Sequence, residues 1–398
     1  MSRSVRMTKK LTDTIILRHG AQLKSRIAMP PMLSYSGSAG GYATEDTLKY
    51  YSARSQAASL LITEYHYVSE TGGPCSQLGY PEQLGIQDDQ HIESIRSIAK
   101  ALKKDGNKAI LQIHHGGREA GIRASRGQEV LAPSAIDFPF LNYSLREMTH
   151  EEIEEIIKDF GRATKRAIEV GFDGVEIHGA NHYLIQQFFS ETSNVRQDKW
   201  GGTLEKRMNF ALEVIKEVKR VMTEYGPEDF ILGYRLSPEE VHGNVVGYRF
   251  QESSQLIAEV AKYGLDYLSL SLWEGYDSKP EGYDQSYGQL FKEIVGDETM
   301  IIVVGSVFDE KAAQDAVDNH TDMIAVGRGS LIDPLFGQKI LDGKGETIVS
   351  EISPAQVKNT HWTTGLHEAF TRKDSLGLPP LPGHESILAL HQGLYDDE

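Results

Sequence analysis

Short apolar runs recur along the chain and alternate with longer amphipathic segments. Most of the runs are continuously hydrophobic, which is typical of parallel strands whose two faces are both covered by other elements. The eight runs span residues 26–29, 60–64, 109–113, 174–177, 231–236, 267–271, 300–304 and 323–326. Because each run is followed by a segment long enough for a helix, the pattern predicts an α/β fold, a single (β/α)8 TIM barrel, rather than a doubly wound sheet.

Local signals mark the start of two helices. Thr149 and Glu152 have the spacing of a capping box, and the apolar stripe that follows them stops at Gly171. A second long helix is predicted from Thr203, because apolar residues at helical spacing follow it.

The whole chain, residues 1–398, is predicted to form a single domain. Its barrel core covers about residues 24–345, and residues 346–398 are expected to form a C-terminal extension, a helix with a Pro/Gly-rich tail that wraps the body. Three regions are too long for minimal barrel connections: 68–87, 116–127 together with 139–146, and 272–289. They follow predicted strands, on the C-terminal side of the barrel where such enzymes build their sites.

Charge and cysteine content exclude several classes of function. The chain has 57 Asp and Glu against 41 Lys and Arg, a formal net charge of −16, so neither nucleic acid nor an anionic membrane is an expected partner. The single cysteine, Cys75, excludes an intrachain disulfide, a four-cysteine zinc site and a four-cysteine iron–sulfur cluster. No apolar run reaches the roughly 18 residues of a membrane span. We therefore expect a cytoplasmic protein that binds a small molecule, and the sequence leaves a homo-oligomer open.

The most informative polar segment follows the fourth predicted strand. His178, Asn181 and Tyr183 lie within six positions at the end of this apolar run. His178 and Asn181 offer two hydrogen-bond donors for a carbonyl oxygen, and Tyr183 offers a phenolic O–H for proton transfer. The three residues are therefore candidate catalytic residues. The alternative is that they only satisfy the backbone of the loop.

A second polar cluster ends the third predicted strand. Gln112 can both donate and accept, which suits an amide-like ring edge such as that of a flavin pyrimidine. The adjacent His114 and His115 raise a metal site as an alternative, but no Asp, Glu or Cys lies nearby at ligand spacing, so no metal is expected.

The fifth predicted strand carries one charge, Arg235, in an otherwise apolar run. It is a candidate ligand-binding residue. The alternative is a buried ion pair with a carboxylate of another strand, Glu64 or Glu176.

Glycines and an arginine follow the last two predicted strands. Gly305 and Ser306 follow the seventh strand, and Gly327 and Arg328 follow the eighth. The loops after these strands commonly bind phosphate in barrels, through backbone N–H groups and a cation. The sequence therefore predicts a phosphate site here, although without the barrel the same glycines would be ordinary turn residues.

In their order and spacing these segments resemble the old yellow enzyme family of FMN-dependent ene-reductases. The resemblance covers about residues 10–345. Its markers are RIAMPPM at 26–32, LITE at 61–64, QIHHGGR at 112–118, the run from GFDG at 171–174 through His178 to WGG at 200–202, and Gly327-Arg328.

The resemblance implies FMN, bound tightly and without a covalent bond across the C-terminal mouth of the barrel. It also implies NADH or NADPH as hydride donor, and hydride transfer to the activated C=C bond of an α,β-unsaturated carbonyl or nitro compound. Residues that match the family's catalytic positions are His178 and Asn181, which would bind the substrate carbonyl oxygen, and Tyr183, the proton donor. Residues that match FMN contacts are Pro31 and Met32 on the first strand, Gln112, His178 and Arg235 around the ring, and Gly305, Ser306, Gly327 and Arg328 at the phosphate.

Several positions depart from the family pattern. Leu33 and Tyr65, which would also contact the flavin, stand where the family usually has Thr or Cys and Gly or Ala, and His182 replaces a common Gly. We expect these changes to affect the flavin potential and the size of the pocket. With Cys75 as the only cysteine and a chain ending at Glu398, we expect no iron–sulfur cluster of the kind found in some larger relatives.

Two other functions remain open. One is a different phosphate-binding barrel enzyme, an isomerase or an aldolase-type lyase; an aldolase would want a lysine in a strand, and none of the predicted strands contains one. The other is a flavin-binding redox module with a degenerate site, which the presence of His178, Asn181 and Tyr183 argues against.

Overall fold

A closed barrel of eight parallel strands forms the centre of the structure, a computed structural model that describes residues 9–396. Each strand pairs with its neighbours along the chain, and the last pairs with the first. The strands are β1 Ile27–Met29, β2 Leu60–Tyr67, β3 Lys108–His114, β4 Gly174–Gly179, β5 Ile231–Leu236, β6 Tyr267–Leu270, β7 Met300–Val304 and β8 Met323–Ala325. The predicted (β/α)8 barrel is confirmed, and all eight predicted strands are present.

The structure extends some of the predicted strands. β2 continues to Tyr67 past an irregularity in register between Ile62 and Tyr65, which places Tyr65 opposite Gln112 of β3. β3 begins at Lys108, so one barrel strand does carry a lysine, contrary to the prediction. That lysine lies at the N-terminal end of the strand and pairs with Asp173 at 3.3 Å, far from the strand ends that build a barrel active site.

Helices surround the barrel. They are α1 Glu45–Ala53, α2 Ile92–Lys103, α3 Gly121–Ser125, α4 His150–Val170, α5 Leu184–Phe189, α6 Leu204–Tyr225, α7 Phe250–Val260, α8 Tyr287–Val295, α9 Glu310–Asn319, α10 Arg328–Ile332, α11 Phe336–Leu341, α12 Pro354–Thr360 and α13 Thr364–Thr371. The predicted capping box is present at α4, where the Thr149 hydroxyl accepts from the Glu152 N–H and the Glu152 carboxylate accepts from the Thr149 N–H. Gly171 ends this helix with a φ of +88°, and α6 begins directly after Thr203.

The two ends of the barrel differ, and this difference decides where a ligand can enter. A short hairpin, Ile15–Ile16 paired with Gln22–Leu23, packs its buried residues on apolar side chains inside the barrel. It closes the N-terminal end. The C-terminal end carries the long connections, which include the parallel pair Val130–Ala132 with Leu145–Glu147 and the hairpin Glu240–His242 with Val245–Tyr248.

The C-terminal extension contains more helix than predicted. Instead of one helix, α12 and α13 follow each other and two 3-10 segments, Ser375–Gly377 and His384–Leu390, come after them. The extension packs on the barrel, since the buried Arg54 donates to the Thr360 carbonyl and the Thr363 hydroxyl donates to the Ser34 carbonyl. Within the part of the chain that the structure describes, no helix has both the length and the apolar character of a membrane span.

Candidate active site

A cleft with a volume of about 450 Å³ opens at the C-terminal ends of the barrel strands. All the predicted site residues except Gln112 and His178 line it: Pro31, Met32, Leu33, Tyr65, Asn181, Tyr183, Arg235, Gly305, Ser306, Gly327 and Arg328. A volume of this size is ordinary for a cofactor or substrate pocket. The barrel therefore brings residues from six of its strand ends to one place.

Gln112 and His178 lie next to the cleft in the buried layer of the barrel. Gln112 is paired in register with Glu176, and its side-chain N–H donates to that carboxylate at 2.6 Å. Its Oε1 has no hydrogen-bond partner among the described residues. His178 is paired in register with Arg235, and its ring lies 5.1 Å from the Tyr183 ring. Both predicted residues are thus adjacent to those that line the cleft.

Arg235 is a buried cation held by hydroxyl groups. Its two terminal nitrogens donate to Ser269 Oγ at 3.0 Å and to Ser271 Oγ at 3.2 Å, and its Nε has no partner among the described residues. Burial lowers the pKa of Arg235, and the nearby Glu176 opposes this effect.

The ion-pair alternative for Arg235 is wrong. No carboxylate of residues 9–396 lies within ion-pair distance of its guanidinium, and Glu64 instead accepts from the N–H groups of Ser34 and Leu84. Glu176 is close enough to influence the charge but does not pair with it. The unpaired Nε of Arg235 and the free Oε1 of Gln112 leave a donor and an acceptor for the polar edge of a planar ring.

Asn181 and Tyr183 line the cleft, and the His178 ring lies beside the Tyr183 ring. Burial, and to a lesser extent Arg235, holds the pKa of His178 well below its ordinary value, so the imidazole is neutral near pH 7. Burial raises the pKa of the Tyr183 phenol, which keeps it protonated. Asn181 has a φ of +56°, and its backbone N–H donates to the Ser237 hydroxyl at 2.9 Å. The site thus holds three neutral hydrogen-bonding groups.

Tyr65 and the two histidines at the end of β3 pack around Tyr183. The Tyr65 ring lies 5.2 Å from the Tyr183 ring, and the His114 ring lies 4.5 Å from it. His114 Nε2 is 3.7 Å from the Cys75 thiol, whereas His115 accepts from the Gly117 N–H. Among residues 9–396 no three His, Cys, Asp or Glu side chains are placed to share a metal ion.

Gly305, Ser306, Gly327 and Arg328 lie at the other end of the cleft. The N–H groups of Ser306 and Gly327 donate no hydrogen bond within residues 9–396. Arg328 donates to Ser306 Oγ at 3.3 Å and to the Pro380 carbonyl at 2.9 Å, and no carboxylate of the described residues pairs with it. Free N–H groups beside an arginine without a carboxylate form a site for an anion.

Two of the glycines have close neighbours, and at Gly305 these neighbours leave no room for a side chain. A Cβ on Gly305 would lie 2.6 Å from the Gly275 carbonyl carbon, so the loop after β6 can approach β7 only where no side chain is present. A Cβ on Gly327 would lie 3.2 Å from Pro30 Cγ and 3.5 Å from Met32 Sδ, against residues that line the cleft.

The positions that depart from the family pattern also lie at or near the cleft. Leu33 and Tyr65 are part of its lining, and Tyr65 places a phenol ring 5.7 Å from the His178 ring. His182 has a φ of +64°, and its Nδ1 lies 3.5 Å from the buried Glu240. The pocket is therefore narrower on the Tyr65 side than a Gly or Ala would leave it.

Several lining residues were not found from the sequence. Tyr35, Ser271, Leu272 and Trp273 contribute to the cleft, as do four residues of the C-terminal extension: Leu366, Phe370, Leu378 and Pro379. Ser271 stood at the end of a predicted strand, which is a signal that could have been used. The extension carried no such signal, because its place over the cleft depends on the path of the folded chain.

Comparison with known proteins gives one consistent result. Residues 15–346 match the family model described as the NADH:flavin oxidoreductase / NADH oxidase family. The chain is 37% identical to the probable NADH-dependent flavin oxidoreductase YqiG of Bacillus subtilis, over 91% of this chain and 96% of that protein. It is 40% identical to the NADH:acrylate oxidoreductase of Vibrio harveyi over 84% of this chain, but it spans only 33% of that protein's length. The solved structure of morphinone reductase in complex with tetrahydroNAD is similar, with a TM-score of 0.73 and 27% identity over 89% of this chain and 97% of that one.

Proposed function

Because the chain belongs to the NADH:flavin oxidoreductase / NADH oxidase family, we propose that it is an FMN-dependent reductase of activated alkenes. Membership confirms the resemblance to old yellow enzymes and the assignment as an oxidoreductase. In the proposed reaction a hydride comes from NADH or NADPH, and the product is the saturated form of an α,β-unsaturated carbonyl or nitro compound.

The residues of the cleft fit FMN. The free Oε1 of Gln112 and the free Nε of Arg235 are complementary to the donors and acceptors of a flavin pyrimidine edge. At the far end, the N–H groups of Ser306 and Gly327 and the Arg328 guanidinium are suited to a phosphate dianion. The apolar residues Pro31, Met32 and Leu33 line the space between them. When bound, FMN would supply two-electron redox chemistry, taking up and giving out a hydride.

His178 and Asn181 would bind the carbonyl oxygen of the substrate. A neutral imidazole donates one N–H, and the Asn181 amide donates another, so the oxygen meets two donors. These hydrogen bonds strengthen as negative charge develops on that oxygen during hydride transfer to the alkene, which is the condition for lowering a barrier. Burial strengthens the effect because little water competes for the oxygen.

Tyr183 would deliver the proton that completes the reduction. Its raised pKa means that the phenol carries its proton throughout the neutral range. The Tyr183 ring lies 5.1 Å from the His178 ring, so the proton donor and the oxygen-binding pair act on different atoms of one small substrate. A general acid placed in this way contributes about 10²–10⁴-fold to a rate.

The observation that carries the proposal is the shared cleft. Tyr183, which holds its proton, lines one cleft together with Asn181 and Arg235, and their partners His178 and Gln112 lie directly beside that cleft in the buried layer of the barrel. An isomerase or aldolase would need only the anion site formed by Ser306, Gly327 and Arg328. A flavin module with a degenerate site would not need Tyr183 beside His178 and Asn181. These comparisons favour a flavin enzyme that is catalytically competent.

The test begins with the colour of the purified protein. We expect a yellow protein that releases FMN on denaturation, is bleached by NADH or NADPH without oxygen, and regains its colour with 2-cyclohexenone. Acrylate belongs in the same substrate series, since the similar Vibrio harveyi protein is named for it. A colourless protein that cannot be reconstituted with FMN would overturn the proposal.

A further inference from the structure

We infer that Ser271 is a positioning residue that holds the Asn181 amide with its NH₂ group facing the cleft. The inference deepens the proposed function and rests on it, because the orientation matters only if Asn181 donates to a substrate oxygen. Ser271 directly follows β6, and its backbone N–H donates to the Leu236 carbonyl at 2.8 Å, which extends the pairing with β5. Strand pairing thus fixes the place from which its hydroxyl acts.

The hydroxyl of Ser271 connects two residues of the site. It receives a hydrogen bond from Arg235 at 3.2 Å and donates to Asn181 Oδ1 at 2.8 Å. The amide Nδ2 of Asn181 makes no hydrogen bond within residues 9–396, and the residue is part of the cleft lining. The amide therefore turns its acceptor toward the barrel wall and its donor toward the bound molecule.

The donors and acceptors of Arg235 and Ser271 favour the orientation in which Asn181 Oδ1 faces Ser271. A guanidinium can only donate, so the Ser271 oxygen must accept from Arg235 and its own proton is free for another partner. That proton needs an acceptor, and the Asn181 oxygen is within reach whereas the amide nitrogen cannot accept. In a flipped amide the Ser271 oxygen would accept from both Arg235 and Asn181, the Ser271 proton would lose its acceptor, and the amide would present an acceptor to the substrate oxygen. Because Arg235 can only donate, it sets the direction of the hydrogen bond between the Ser271 hydroxyl and the Asn181 amide.

The Asn181 backbone is held separately. Its N–H donates to Ser237 Oγ, and the residue adopts a positive φ that an asparagine tolerates better than most side chains. Because the backbone has its own anchor, loss of the Ser271 hydroxyl should free the amide to rotate without moving the loop. This separation makes Ser271 testable.

Ser269 provides a matched control. It lies two residues before Ser271 on the same strand face and donates nothing to Asn181, but it receives the other terminal N–H of Arg235 at 3.0 Å. Ser269→Ala and Ser271→Ala each remove one hydrogen bond from Arg235, and only Ser271→Ala also removes the Asn181 contact. Any effect that acts through the Arg235 charge should therefore appear in both variants.

The experiment titrates the FMN-loaded protein with 4-chlorophenol and follows the long-wavelength charge-transfer band of a phenolate over an electron-poor ring. We expect Ser271→Ala to raise the dissociation constant about 3- to 10-fold, the value of one hydrogen bond, and Ser269→Ala to change it by less than about twofold. Ser271→Thr keeps a hydroxyl and should bind like the wild type, whereas the equally large Ser271→Val should bind like Ser271→Ala. In an Asn181→Ala background, Ser271→Ala should cause no further loss.

Three results would overturn the inference. They are equal binding by the wild type, Ser271→Ala and Ser271→Val; equal losses in Ser269→Ala and Ser271→Ala; or an additive loss in the double variant. If Ser271→Ala loses its flavin, the Thr and Val pair decides the question. If the wild-type FMN-loaded protein shows no charge-transfer band, the proposed function is overturned and this inference with it. If the band appears but does not change in the Ser271 variants, only this inference is overturned.

Discussion

At the level of single residues, the two halves of the proposed reaction depend on different groups. Tyr183 acts when a proton is delivered, whereas His178 and Asn181 hold the oxygen before and during hydride transfer. Tyr65 is an alternative proton donor, since its phenol ring lies 5.2 Å from the Tyr183 ring. The two tyrosines can be separated by removing one hydroxyl at a time.

Tyr183→Phe should keep reduction of the flavin by NADH or NADPH and slow its reoxidation by 2-cyclohexenone. The expected loss is about 10²–10⁴-fold, because a general acid is removed while the oxygen-binding pair stays. The loss should be smaller for a nitroalkene, whose anion is stable enough to wait for a solvent proton. Stopped-flow measurement of reoxidation tests this, with Tyr65→Phe as the control. A wild-type rate in Tyr183→Phe together with a slow Tyr65→Phe would assign the proton to Tyr65.

Arg328→Ala should weaken FMN retention. This arginine has no carboxylate partner among the described residues, and the proposed phosphate would be its counter-ion. A hydrogen bond between charged groups is worth about 1.5–3 kcal/mol, so the dissociation constant should rise about 10- to 100-fold. Fluorescence of FMN released on dilution measures it. Arg220→Ala, at a surface arginine paired with Glu217 and Glu224, is the control, and equal retention in both variants would remove Arg328 from the site.

At the level of elements, one buried arginine joins the C-terminal extension to the barrel. Arg54 follows α1 and donates to the carbonyls of Tyr50, near the end of α1, and of Thr360, the last residue of α12. Its guanidinium lies 3.9 Å from the centre of the Tyr50 ring. A cation at the C-terminal ends of two helices meets carbonyls that the helices leave without partners.

Arg54→Met should loosen the extension. The substitution keeps an apolar chain of similar length but leaves the Thr360 carbonyl buried without its donor, which costs about 1–3 kcal/mol. We expect a lower urea midpoint and faster proteolysis after residue 350. Arg96→Met, at an exposed arginine paired with Glu93, is the matched control. Proteolysis at the wild-type rate in Arg54→Met would show that α13 packing alone holds the extension.

At the level of the whole molecule, four buried histidines make the fold sensitive to acid. Burial lowers the pKa of His66 to about 4 and that of His115 to about 3, and it holds the pKa of His114 and His178 well below the ordinary value. All four are neutral in the fold at pH 6, whereas in the unfolded chain they take up protons below about pH 6.5. Their contribution to stability is therefore complete above pH 6.5 and is lost as the pH falls toward the folded values.

The urea midpoint should fall between pH 7.5 and pH 5.5. At pH 5.5, about one unit below the pKa of histidine in the unfolded chain, each of these histidines lowers the free energy of unfolding by about 1.4 kcal/mol, because only the unfolded chain takes up the proton. Three carboxyl groups oppose the trend because burial raises their pKa and they are protonated more readily in the fold: Glu64, whose pKa is raised to about 7, Glu176 and Asp159. They are fewer than the four histidines. His66→Gln should flatten the pH dependence, and Lys49→Gln at an exposed site should not. A midpoint that rises with acid would contradict the account.

The strands and the start of α4 could be predicted because the interactions that form them are local. A continuous apolar run is all that a strand covered on both faces requires, and the capping box needs only Thr149 and Glu152, three residues apart. The polar residues at strand ends could also be singled out, since a parallel barrel collects its strand ends at one face. His178, Asn181 and Tyr183 therefore belonged to the candidate site before any fold was known.

The contacts that complete the site join residues that are far apart in the chain. The hydrogen bond from Ser271 to Asn181 joins residues 90 positions apart, and the one from Arg328 to the Pro380 carbonyl spans 52 positions. No local sequence pattern predicts contacts between residues so far apart in the chain. Whether Arg235 meets a carboxylate or two serines likewise follows from strand register, which pairs Arg235 of β5 with Ser269 of β6. Local sequence thus decides which elements form and which residues carry chemistry, and the closed barrel decides their partners, because partnership across strands is set by long-range packing.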